Sequence, residues 1–142
     1  MHKKFHERIN RKPVFCRASD LIDFAAKRMI EKSVSSILVL DDFESIVGIL
    51  TERDILRKLA TLDVDRKLAR PIRTIMSPKV HCVQLNNMMI EIVKLHQSKG
   101  IRHFPILKNG SSLEKANIYG IVTVTDLARQ FLDNLGPLFS QT

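Results

Sequence analysis

In GILTERD, Gly48–Asp54, and again in GIVTVTD, Gly120–Asp126, a threonine is followed three residues later by an aspartate. A hydroxyl supplies one donor and two acceptor lone pairs, and an ionised carboxylate supplies acceptors only. At this spacing the simplest chemistry is local. The threonine closes a strand, and the carboxylate lies in the first turn of the following helix, where the positive end of the dipole favours it. Capping accounts for one such segment. Two copies with Gly, Thr and Asp at the same spacing point beyond it.

Other groups that could carry chemistry are weaker. His2 and His6 stand four apart and could share a metal on a helix, but no Cys or carboxylate completes a set, and an unstructured terminus fits better. His81 and Cys82 are neighbours at the start of an extended segment, where alternation turns them to opposite faces. Asp63 and Asp65 in LDVDR lack the oxygen spacing and glycine of an EF-hand loop. Met88 and Met89 read as helix core rather than a sulfur site. There is no G-x-S-x-G elbow, no G-x-x-x-x-G-K-[ST] loop and no H-E-x-x-H. Glu52 has nothing to orient it as a base, so the chain reads as not an enzyme.

The elements around the two Thr–Asp segments also come twice. Val34, Leu38, Val39 and Leu40 correspond to Ile101, Pro105, Ile106 and Leu107 at a displacement of 67. Asp20, Ala25 and Ala26 fall on Asn87, Ile92 and Val93 at the same displacement. Past Leu40 it grows to 72, because the second copy carries the longer polar loop KNGSSLEKANIYG. Each copy begins with an extended piece, Val14–Cys16 or Val80–Val83. A helix follows with Leu21, Phe24, Ala25 and Met29 inward and Ser19 or Asp20 as cap. Its counterpart has Met88 or Met89, Ile92, Val93 and His96 inward and Asn86 or Asn87 as cap. Next come a strand (SILVL or FPIL), a turn, the strand IVGIL or IYGIVTV, and a closing helix, ERDILRKLA or TDLARQFLDNL.

The pattern is α+β: two β-α-β-β-α repeats of about 60 residues, each too small to be comfortably stable alone. The expected division is a basic tail 1–10, repeat 11–62, linker 63–73 broken at Pro71, repeat 74–134 and tail 135–142. Among 142 residues, 23 Lys and Arg face 15 Asp and Glu, and the net charge of +8 suggests an anionic partner without naming one. No apolar run reaches the roughly 18 residues of a membrane span, and the charged start lacks a secretory h-region. Cys16 and Cys82 make no disulfide framework, so a cytoplasmic setting is expected.

In order and in duplicate, the segments AAKRMIEKSVSSILVLDD, GILTERDIL, IMSPKV, IVKLHQSKGIRHFPIL and GIVTVTDLA resemble a CBS-domain pair, the Bateman module, over roughly Arg11 to Asn134. The resemblance implies pseudo-twofold symmetry and a ribose clamp at each G-h-x-[ST]-x-x-[DN] segment. Thr51 and Thr123 would contact phosphate or sugar, and Asp54 and Asp126 would accept from the ribose hydroxyls. A vicinal diol has two donors for a carboxylate, and a helix N-terminus presents N–H groups to phosphate. The resemblance places the clefts between repeats, so Asp54 would face Ile101, Arg102, His103 and Pro105. Asp126 would face Val34, Ser35, Ser36 and Leu38. Only the first set brings cations, and Arg102 suits phosphate through its planar fork. A side chain at Gly48 or Gly120 would obstruct the ligand or a facing strand.

The implied function is a non-enzymatic sensor of AMP, ADP, ATP or another adenosine ligand, with no obligatory cofactor. No effector domain is visible, which would route the output through an unidentified effector protein, and a homodimer is expected. The competing reading is an interaction or nucleic-acid-binding protein with empty clefts, using the basic runs KKFHERINRK and RKLARPIRTIMSPK.

Overall fold

The computed structural model describes residues 6–61 and 68–139 of the chain. These form two compact units. The first comprises residues 13–61, 68–80 and 113–116; the second comprises 6–12, 81–112 and 117–139.

In the first unit β1 (Phe15–Arg17) leads to α1 (Ile22–Lys32), β2 (Ser36–Leu40), β3 (Ile46–Thr51) and α2 (Glu52–Leu59). The sheet order is β1-β2-β3, with β1 parallel and β3 antiparallel to β2. Every residue of β2 is buried, as a continuous apolar run in a central strand requires. The core gathers Val14, Cys16, Ala25, Met29, Ile37, Val39, Leu50 and Ile72.

The second unit repeats the plan. It holds β4 (Val83–Gln84), α3 (Met88–Lys99), β5 (His103–Leu107), β6 (Ile118–Thr123) and α4 (Val124–Phe139), with sheet order β4-β5-β6. Its core is Ile9, Val83, Met88, Ile92, Phe104, Ile106, Val122 and Leu127. Both hairpins shift register at the same place, between Val39 and Leu40 and between Ile106 and Leu107. The α+β duplication expected from the sequence is the observed fold.

The third strand of each sheet receives one more bridge. Ile49 N donates to Ser77 O (3.0 Å) and Ser77 N to Ile49 O (2.9 Å). In the second unit Asn10 N donates to Ile121 O (2.8 Å) and Ile121 N to Asn10 O (3.0 Å). Asn10 and Ser77 are themselves 67 positions apart. Each copy's leading segment therefore completes the sheet of the other copy. Gly48 and Gly120 permit this close approach. A Cβ at Gly48 would lie 2.5 Å from Met76 Sδ, and one at Gly120 would lie 2.6 Å from both Asn10 O and Ile9 Cγ2.

Several local expectations change. Leu21 (41% exposed) and Phe24 (47%) face outward, and Ile22, Ala25 and Met29 supply the buried stripe of α1. Leu21, not Ser19 or Asp20, occupies the N-cap, without a side-chain cap. Asp20 Oδ2 instead accepts from Arg17 N (2.8 Å), while Ile22 N and Asp23 N donate to the carbonyls of Arg70 and Leu68 (2.9 and 3.0 Å). Backbone carbonyls of the connecting segment thus do the capping. Asn87 is the N-cap of α3 but makes no side-chain cap bond, and Val93 is exposed.

The segment expected as a linker contributes the fully buried Ile72, and the expected N-terminal tail contributes the buried Ile9. Residues 1–5, 62–67 and 140–142, which include the expected end of the first repeat, lie outside the described residues; α4 continues to Phe139, into the expected C-terminal tail.

Candidate functional site

Each Thr–Asp pair sits where an edge strand turns directly into a helix. Thr51 ends β3 in an extended conformation (φ −115°, ψ 165°) and is the N-cap of α2. Asp54 Oδ2 accepts from Thr51 N (2.8 Å) and from Thr51 Oγ1 (3.0 Å), and Asp54 N donates back to Thr51 Oγ1 at 3.4 Å. The second copy matches it. Asp126 Oδ2 accepts from Thr123 N (3.2 Å) and Thr123 Oγ1 (2.9 Å), and Asp126 N donates to Thr123 Oγ1 (3.0 Å). Both are reciprocal capping boxes. The local reading of the two segments is therefore correct as far as it goes.

The capping geometry leaves chemistry over. Among the described residues, the bonds to both carboxylates fall on Oδ2. The carboxylates are half-buried and fixed in orientation in the first turn of a helix. A preorganised acceptor of this kind suits a ligand with two adjacent hydroxyl donors.

Strand ends flank each pair. Thr51 stands opposite Ser36 and Thr123 opposite His103. Glu52 N donates to Ser35 O (3.1 Å), and Val124 N to Arg102 O (2.9 Å). Ser35–Ser36 and Arg102–His103 thus hold equivalent positions, Arg102 being exposed, His103 and Ser35 half-buried and Ser36 buried. Ile101 is half-buried, and its carbonyl contacts His96 Nδ1 at 2.9 Å. Val34 packs on the first core, its N–H donating to Met29 O (3.1 Å). Leu38 and Pro105 are fully enclosed within their sheets.

The first unit therefore brings together Thr51, Asp54, Ser35 and Ser36. The second brings together Thr123, Asp126, Arg102 and His103. The expected sets, Asp54 with Ile101 to Pro105 and Asp126 with Val34 to Leu38, join residues of different units. Sequence reasoning missed Arg53, an exposed cation in the first turn of α2 between Thr51 and Asp54, where the second copy has Thr125. Its position inside Thr-x-x-Asp was the available signal.

His2, Asp63 and Asp65 lie outside the described residues. Among those described, no group of three or more His, Cys, Asp or Glu is disposed to hold a metal ion. Burial pushes the Cys16 thiol up to about 11 and the Cys82 thiol up to about 12, so both are protonated at neutral pH. No helix among the described residues is long and apolar enough to cross a membrane.

The sequence model of the CBS domain matches residues 7–61 and 72–133. The chain belongs to the CBS domain family. Both matched ranges start before the expected repeats, taking in Ile9 and Ile72, in keeping with their burial. An uncharacterised 17.7 kDa protein of Acidianus ambivalens is 36% identical over 109 residues, 77% of this chain and 61% of the relative. The chain thus spans less than two thirds of that relative's length.

The fold is also that of the CBS-domain protein ATU1752 from Agrobacterium tumefaciens, with TM-score 0.76, 22% identity and coverage of 89% of this chain and 90% of the other. The CBS domain pair of protein MJ0100, solved in complex with 5′-methylthioadenosine and S-adenosyl-L-methionine, matches with TM-score 0.71, 23% identity and coverage of 89% and 98%.

Proposed function

We propose that this CBS pair is a non-catalytic sensor that binds an adenosine-containing ligand, AMP, ADP or ATP among the candidates, at Thr51 and Asp54 and at Thr123 and Asp126. It works as a homodimer in the cytoplasm and passes ligand occupancy to a partner protein. The observation that carries this reading is the duplicated carboxylate, held by its threonine through Oδ2 at a helix N-terminus in both units. The ribose diol donates to that carboxylate, and phosphate, where present, draws on N–H groups of the helix start and on Arg102 and His103. The adenosine compounds held by the MJ0100 pair lend the reading chemical support.

A second reading has one observation behind it. Among the described residues, the second unit carries eight Lys and Arg against four Asp and Glu, while the first carries 11 against nine. A basic excess concentrated in this way suits a polyanion. One experiment separates the two: thermal melting with AMP, ADP, ATP, S-adenosylmethionine, NADH and short DNA. A ligand of the folded form stabilises by about 2.7 kcal/mol at a hundredfold excess over Kd. An upward shift with an adenosine compound supports the sensor. A shift with DNA alone supports the polyanion.

A further inference from the structure

The longer loop between β5 and β6 has a tip that belongs to the other unit. Its base is closed within the second unit, where Lys108 N donates to Asn117 O (2.9 Å) and Asn117 Nδ2 to Ser112 O (3.0 Å). The tip, Leu113–Ala116, belongs to the first unit. There Ile46 N donates to Leu113 O (3.1 Å), Lys115 N donates to Glu44 O (3.0 Å), and Ser45 bridges Glu114. The corresponding turn of the first copy, DDFES, is five residues shorter and has no such tip.

Side chains fasten the same contact. Glu44 pairs with Arg17, and its other oxygen lies 3.7 Å from Lys115 Nζ. Lys115 Nζ also stands 5.3 Å from the centre of the Phe15 ring. Arg17 in turn donates to Asp41 O, and Asp41 Oδ1 accepts from Phe43 N and Ser45 N (both 2.9 Å), which fixes the turn. Glu44 adopts φ +63°, a left-handed conformation that costs a residue with a Cβ and that glycine takes freely. A glutamate at this position is explained by its side chain, not by its backbone.

We propose that Leu113–Ala116 is a strap laid on the β2–β3 turn within the first unit, with Glu44 as its latch to Lys115. Order in these four residues then depends on the folded state of that turn. The strap stands independently of any ligand.

The test is backbone amide exchange at Lys115 and Ile46 in the full chain without ligand. Lys115→Ala and Glu44→Gln should each speed exchange at both amides by about two- to fivefold, the range an exposed ion pair supports, and leave the buried amide of Val39 unchanged. Salt at 0.5 M should do the same to the wild type and have little further effect on Lys115→Ala. Glu44→Gly relaxes the backbone, yet should still speed exchange at Lys115. Unchanged exchange at Lys115 in Lys115→Ala and Glu44→Gly would overturn the latch. Exchange of the wild-type Lys115 amide at the rate of an unstructured peptide would overturn the strap.

Discussion

Replacing Gly120 by alanine puts one methyl group where a neighbouring backbone already lies. The new Cβ would be 2.6 Å from Asn10 O and 2.6 Å from Ile9 Cγ2, closer than real Cβ contacts permit. The β6 backbone cannot yield, because Gly120 stands opposite Ile106 beside the register shift, in the buried sheet. The segment 6–12 must move. Its two hydrogen bonds between Asn10 and Ile121 are each worth about 0.5–1.5 kcal/mol net, and the buried Ile9 side chain contributes roughly 1.5–3 kcal/mol. Partial loss of both gives about 2–4 kcal/mol, or roughly 6–16 °C in Tm for a domain of this size. Gly48→Ala should cost less, about 1 kcal/mol, since the nearest atom is the flexible Met76 Sδ and the Ser77 carbonyl lies at 3.0 Å. Thermal melts read by circular dichroism measure both. If Gly120→Ala melts within about 1 °C of wild type, or below it by less than Gly48→Ala does, the close-approach argument is wrong.

Further outcomes follow from the site and the thiols. Asp126→Ala should lose about 1 kcal/mol of stability, because Thr123 N and Thr123 Oγ1 lose their acceptor; chemical denaturation reads this, and no loss would deny the capping role. Under the proposed function, Arg102→Ala should reduce any preference for ATP over AMP without abolishing adenosine binding. An unchanged ATP-to-AMP affinity ratio would remove Arg102 from the phosphate side. Cys16 and Cys82, held protonated by burial, should resist a water-soluble alkylating reagent at pH 8 until the chain is denatured. Rapid labelling of either in the native protein would contradict that.

The duplication was legible because Gly48, Thr51 and Asp54 recur as Gly120, Thr123 and Asp126, and because SILVL and FPIL have strand character on their own. The capping boxes were legible too, being contacts three residues apart. What escaped the sequence was non-local. No periodicity announces that Asn10 pairs with Ile121 and Ser77 with Ile49, so the sequence offers no sign that Ile9 and Ile72 are core. On α1, Ala25 and Met29 face inward as the spacing predicts, whereas Leu21 and Phe24 satisfy the same helical spacing and are exposed. Only burial distinguishes them from Ile22. The caps expected at Ser19 or Asp20 failed for a similar reason, since the carbonyls of Leu68 and Arg70 come from some 45 residues away.

The most direct test of the proposed function is calorimetric titration of the wild type, Asp54→Asn and Asp126→Asn with AMP, ADP, ATP and S-adenosylmethionine. Asparagine keeps an acceptor for the threonine N–H and so preserves the cap, while removing the charge that receives the ribose hydroxyls. A charged hydrogen bond is worth about 1.5–3 kcal/mol, so affinity at the altered site should fall by at least about tenfold. The account predicts that at least one of these compounds binds the wild type and that each variant loses binding at one site. Absence of binding by all four, or wild-type affinity in both variants, would contradict it.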